Sequence, residues 1–265
     1  MQKDHSMKLS YLLIIIFTFS SVHSSFSKPC LNDTLFFVNS IPVYNKAIVD
    51  LDGKGKTDNV ELTLIEDDYG FSNFILAINN DSVSGKHSYN VSGFLIIDLD
   101  TTDNIKEVAV YTQNANGPDE YIIYKYDNWI TELGRINSYA TFPGNKVIII
   151  DTEMMFWTKT DTVLYDTEFE ILKYYPKEFY DINIEAEVLE TFSLYSDREN
   201  FVSVLELKPK DRVTIIKCDT SPFCEDEPSS SFELCDWYQV RVESGRTGWV
   251  QLKTFLNKLE LPWRP

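Results

Sequence analysis

The chain is poor in the side chains that most catalysts use for proton transfer and metal binding. It has 3 histidines and 4 cysteines in 265 residues. Basic residues number 24 against 41 acidic, a formal charge of −17. The acid excess argues against nucleic acid and anionic membrane surfaces as partners, since both are polyanions that would repel it. Glycine and proline, 10 of each, exclude collagen-like and low-complexity chains. A hydrophobic content of 43% with 14% aromatics excludes a disordered polyampholyte. No apolar run reaches the roughly 20 residues that a spanning helix takes. Walker A, G-x-S-x-G and H-E-x-x-H motifs are absent.

What is present begins with a leader pattern. Lys3 and Lys8 precede the apolar run Tyr11 to Phe19, and small polar residues follow from Ser20 to Ser25. This predicts a secretory signal over residues 1–24, with Val22 and Ser24 placed for cleavage, and a secreted, periplasmic or cell-envelope location. Lys28 and Pro29 depart from the small residues that lipidation of Cys30 would require. Cleavage removes Lys3, Lys8, Asp4, His5 and His23, leaving 22 basic against 40 acidic residues, a charge of −18, and His87 as the one histidine. A Ser-His-Asp or Cys-His site would then have to use His87, and a multi-histidine zinc site is excluded. His87 lies in Ser84-Gly85-Lys86-His87-Ser88, which reads as an exposed loop with a solvated imidazole.

The remainder divides by charge. Ser25 to Leu189 carries 12 basic and 27 acidic residues, Glu190 to Pro265 10 and 13. The expected organisation is a β module over 25–188, a small barrel over 189–258 and a tail over 259–265, an all-β chain. In the first segment, Val60 to Ile65 alternates with period two, and Phe94 to Ile97, Val108 to Tyr111, Tyr121 to Tyr124 and Val147 to Ile150 are short β-rich runs bounded by Asp, Asn and Gly. An internal repeat is visible. Asp50-Leu51-Asp52-Gly53 and Asp98-Leu99-Asp100-Thr101 each open a loop leading to a strand, 48 residues apart, and Gly144-Asn145-Lys146 stands about one period further on.

The stretch Asp50-Leu51-Asp52-Gly53-Lys54-Gly55-Lys56-Thr57-Asp58 resembles the acidic loop of FG-GAP/VCBS-type β-propeller repeats. Residues 41–180 are similar to the VCBS-like modules of secreted bacterial proteins, and Ile97 to Asp103 and Gly117 to Tyr121 add to the likeness. The resemblance implies a non-catalytic adhesion or scaffold unit built as an incomplete, open series of blades, with acidic loops that often hold calcium. Physically, Asp50, Asp52 and Asp58 are the metal candidates, because alternate side chains of such a loop converge on one point. Lys54 stands where a third carboxylate or Asn is expected; its ammonium removes an oxygen and adds a repelling charge. The competing reading is an Asx-rich turn that satisfies its own backbone. Calcium is therefore the one cofactor the sequence suggests.

The second segment shows five short strands with tight turns, a small-barrel pattern. Leu207-Lys208-Pro209-Lys210-Asp211, Trp237-Tyr238-Gln239-Val240 and Gly245-Arg246-Thr247-Gly248-Trp249-Val250 resemble the bacterial SH3-like (SH3b) domain. That likeness implies a groove for cell-wall peptides or polypeptide ligands. Tyr195, Asp197, Trp237, Tyr238 and Trp249 are the ligand-binding candidates, the aromatics for their large flat faces. Against this, Trp249 and one of Trp237 or Tyr238 would serve as core, and for Trp249 the core is the favoured reading.

An insertion from Asp219 to Asp236 departs from the SH3b pattern. Cys218 and Cys235 flank it, and a disulfide between them would close the loop, worth roughly 3 kcal/mol in the chain-entropy model. Cys224 could pair with either instead, leaving the other for Cys30; four cysteines allow three connectivities. No C-x-x-C pair suggests metal or redox chemistry.

The sequence thus predicts an exported, non-enzymatic binding or scaffold protein whose SH3-like barrel docks to a cell-wall peptide or an envelope protein. One alternative is a carboxylate-based cell-wall glycoside hydrolase or its accessory, which needs no histidine. Another is an envelope inhibitor or immunity protein whose acidic face masks a basic partner.

Overall fold

A computed structural model describes residues 33–67, 70–114, 117–221 and 232–262. The expected signal segment, Cys30 and Cys224 lie outside the described residues. The chain is all-β. Strand β1 (Asp33–Val38) pairs with β2 (Ile41–Val49). Three four-stranded antiparallel meanders then follow in sequence. The first is β2 with β3 (Asp58–Asp67), β4 (Gly70–Ile78) and β5 (Asp81–Lys86). The second is β6 (Gly93–Ile97), β7 (Glu107–Thr112), β8 (Glu120–Tyr126) and β9 (Ile130–Asn137), and the third is β10 (Tyr139–Thr141), β11 (Val147–Glu153), β12 (Thr158–Asp166) and β13 (Ile171–Tyr175). The repeat read from the sequence is therefore a repeat of meanders, with an acidic loop between the first two strands of each of the first two.

The first two meanders join where Val43 pairs with Leu95 and Tyr44 with Phe94, giving one sheet of order β5-β4-β3-β2-β6-β7-β8-β9. Its edges nearly meet, so the sheet is almost a closed barrel. The Asp81 carboxylate accepts the Ile130 N–H at 2.7 Å, and Arg135 Nη1 donates to the Lys86 carbonyl at 3.1 Å across the seam. The second meander has both faces covered. Val108, Val110, Ile122 and Tyr124 pack with Val60, Phe74 and Leu76 of the first meander. On the other face, Ala109, Tyr111 and Ile123 pack with Ile148, Ile150 and Val163 of the third. This is why β7 and β8 read as unbroken apolar runs, whereas half-covered β3 alternates. Asn39, Asn79 and Asn128 turn the hairpins with φ of 47, 55 and 66°, a conformation asparagine tolerates better than most residues.

A second sheet has the order β16-β15-β19-β18-β17-β14-β20. Its strands are β14 (Tyr180–Val188), β15 (Phe192–Tyr195), β16 (Ser203–Leu207), β17 (Arg212–Asp219), β18 (Trp237–Val242), β19 (Thr247–Gln251) and β20 (Leu259–Glu260). A 3-10 turn (Phe232–Cys235) precedes β18, and one helical turn, α1 (Leu252–Phe255), follows β19. The five expected strands are present, but the sheet reaches further in both directions. Strand β14 lies on the N-terminal side of residue 188 and pairs with β17, Ala186 opposite Val213. Leu259, expected in a tail, pairs with Val188 and is buried. The core of this sheet includes Met154, Phe156 and Trp157 from the third meander, so apolar packing continues across the expected boundary.

Gly85 on β5 is required by its neighbour. A Cβ there would stand 2.2 Å from Cζ of Phe74, a fully buried ring. Gly85→Ala is expected to lower unfolding stability by about 1–3 kcal/mol, measurable as a reduced urea midpoint with an unchanged slope.

Candidate functional site

Strand register decides which of the candidate aromatics can meet a ligand. Residues directly opposite on neighbouring strands share a face. Asp181 pairs with Lys217, Lys217 with Gln239, Gln239 with Trp249, and Trp249 with Tyr195. These five side chains form one row across β14, β17, β18, β19 and β15, on the face turned away from the core. Trp237, two residues before Gln239, belongs to the same face. It is 4% exposed and forms a floor beneath Tyr195 and Phe201, with ring centroids 6.4 and 5.5 Å away. Phe201 and Val202 are more than half exposed beside it.

Tyr238 is a correction to the groove assignment. Alternation turns it to the opposite face, where it is fully buried among Phe156, Val240 and Phe255. The Trp157 indole N–H donates to its hydroxyl at 3.2 Å, and burial pushes the phenol pKa up. Trp249 departs from the favoured core reading: it is half-buried on the outward row, 5.8 Å from the Phe179 ring. The Arg198 guanidinium lies over both rings, 4.9 Å from Phe179 and 5.4 Å from Trp249, and pairs with buried Asp219. Asp197 is committed to its own turn. It accepts the N–H groups of Asn200 at 2.7 Å and Glu199 at 2.9 Å, which hold its pKa far below the usual carboxylate range. Its role is to shape the loop that presents Phe201. Sequence reasoning missed Phe179, Arg198 and Phe201. Phe179 falls before the expected boundary, and the other two follow no strand signal.

Cys218 and Cys235 are not joined to each other. The register places Tyr238, three residues beyond Cys235, opposite Cys218. Other pairings involve Cys30 or Cys224, outside the described residues.

The two acidic loops share one geometry. Leu51 and Leu99 are each buried to within 1%. Each leucine N–H donates at 2.9 Å to a carboxylate on the following strand, Asp58 in the first loop and Glu107 in the second. Each leucine carbonyl accepts an N–H from the next meander's loop, that of Lys106 at 2.8 Å and of Lys146 at 2.7 Å. The carboxylate ligand atoms of Asp50, Asp52 and Asp58 lie within 4.8 Å of one another, but they do not fit calcium, which takes six to eight oxygens. Asp58 also accepts from Asn79 at 2.7 Å, Asp50 Oδ2 from the Gly55 N–H at 2.8 Å, and Asp52 Oδ2 holds the Lys54 ammonium at 2.9 Å. Of the six carboxylate oxygens of these three aspartates, Asp50 Oδ1 alone has no hydrogen-bond partner among the described residues.

His87 is a second correction. It is buried, not solvated: its side chain is 1% exposed, with Nδ1 at 3.1 Å from Glu120 Oε2 and the ring 5.7 Å from Phe74. The Ser88 N–H donates to the same carboxylate oxygen at 2.9 Å. The polar flanks concealed this, because the partner lies 33 residues away in sequence.

No family model, curated protein or solved structure matches the chain.

Two buried groups set opposite pH limits. Burial raises the Glu107 pKa from 4.5 to about 7. The neutral form therefore stabilises the fold below pH 4.5, and this contribution is lost as the pH rises through about 7, up to on the order of 3 kcal/mol. Glu107→Gln, neutral throughout, is expected to remove that loss in urea titrations on either side of pH 7. Burial lowers the His87 pKa below 6.5 against the opposing pull of Glu120. Its contribution is present above pH 6.5 and lost as the pH falls below it. His87→Gln is expected to flatten the acid side of the melting profile.

Proposed function

We propose that the chain is an exported, non-catalytic binding protein whose second sheet docks an extended peptide, from the cell wall or from an envelope protein. The observation that carries this reading is the outward row Lys217–Gln239–Trp249–Tyr195 with Phe179 and Phe201 at its borders. With Asp181 the row crosses five strands, about 19 Å at the usual strand spacing, which matches roughly six residues of extended chain. Half-buried aromatics give flat contact area at low conformational cost, and Lys217 and Gln239 between them offer hydrogen bonds to a peptide backbone. Export rests on the leader pattern of residues 1–24, and the meanders serve as the scaffold that carries the sheet. Among the described residues, no helix is long and apolar enough to cross a membrane.

The hydrolase alternative calls for a carboxyl of raised pKa within reach of a sugar. Glu107 is such a carboxyl by pKa, but it is 1% exposed and bonded to the Leu99 amide, which favours a structural role.

Sedimentation with isolated cell walls and calorimetric titration with a wall stem peptide test the reading. Tyr195→Ala combined with Trp249→Ala is expected to weaken binding by at least about tenfold, whereas Tyr238→Phe, confined to the core, leaves it unchanged. Undiminished binding by the double variant, or turnover of purified walls by the parent protein, sinks the proposal.

A further inference from the structure

We infer that Lys54 and Lys146 are the resident cations of the two acidic loops, so that the stacked meanders lock together without a metal ion. The two loops share one geometry. Each gathers several carboxylates around one buried leucine, a concentration of charge that needs compensation. In the first loop, the second aspartate of the Asp-Leu-Asp element, Asp52, holds Lys54 Nζ at 2.9 Å. The same ammonium is 2.9 Å from Asp127, in the turn between β8 and β9, so it also ties the loop to the second meander. In the second loop the equivalent aspartate, Asp100, is 5% exposed and holds Lys146 Nζ at 3.0 Å.

The two lysines come from different places in the sequence. Lys54 lies within its own loop, two residues beyond Asp52, whereas Lys146 belongs to the third meander. A positive charge nonetheless arrives at the same aspartate of each loop. At both junctions it acts beside the hydrogen bond that links successive meanders, the amide of Lys106 or Lys146 to a leucine carbonyl. Lys146 makes both contacts itself, with its backbone N–H on Leu99 and its side chain on Asp100. Asp100 Oδ1 is in addition committed to the Thr102 hydroxyl at 2.6 Å. A dication entering either loop would have to displace an ammonium or sit against it, which the carboxylate oxygens left over cannot offset.

Thermal melting of the full chain in calcium, magnesium and chelator tests this. The parent protein is expected to melt at the same temperature in chelator and at about 5 mM calcium, above the range of weak extracellular calcium modules. A calcium-dependent rise overturns the inference. Lys54→Asn replaces the ammonium by an amide oxygen and is expected to gain a calcium-dependent rise; a folded Lys54→Asn variant with no response to calcium also overturns it. Where that variant does not fold, Lys54→Met with Lys146→Met decides. The double variant is expected to melt roughly 2 °C or more below the parent at low salt, with the gap narrowing at high salt. An unchanged melting temperature overturns the inference.

Discussion

Two backbone amides, those of Leu51 and Leu99, hold the succession of meanders together. A buried N–H has to find an acceptor, and here each finds a carboxylate on the next strand of its own meander. The leucine side chain is thereby fixed in the core, and its carbonyl is aimed at the amide of the following loop. One residue thus joins three things: its own hairpin, the apolar interior and the next repeat. A charged acceptor makes the bond stronger than a neutral one would be, at the cost of desolvating the carboxylate. Glu107 shows that cost in its raised pKa.

The acid excess of the chain is accordingly of two kinds. Some carboxylates are structural: Asp58, Asp100 and Glu107 are nearly inaccessible and bonded to backbone or lysine. Asp161 is similar, buried and accepting the hydroxyls of Tyr174 and Tyr180 at 2.5 and 2.6 Å near the start of the second sheet. Others, such as Glu168 and Glu178, are exposed and contribute to solubility and to the field around the molecule. A count of charges in the sequence cannot separate the two, because the difference lies in what each carboxylate meets across the fold.

The parts that were legible in the sequence were those with local causes. The paired Asp-Leu-Asp elements marked the repeat because the loop needs a buried apolar residue between two polar ones, and the strands of the second sheet followed from turn residues and β-branched runs. Adjacent Trp237 and Tyr238 had to face opposite ways on a strand, and the sequence left open which of them faced inward; the register with Cys218 and Val250 decides it. Assigning β14 to the second sheet required its pairing with β17, where even the nearest partners, Glu187 and Arg212, are 25 residues apart in sequence. The burial of His87 depended on Glu120, and Phe179 joined the aromatic row only through Trp249. These are long-range facts that no local pattern encodes.

Trp157 and its neighbours carry one further implication. Because Met154, Phe156 and Trp157 fill the interior of a sheet that starts only at Tyr180, the two halves of the chain cannot be parted cleanly at residue 188. A piece beginning there would lose the strand that β17 and β20 both lean on, and the apolar floor supplied from upstream with it. Its ragged hydrogen-bonding edges would invite self-association, so the behaviour of such an excised piece would report on clumping as much as on recognition.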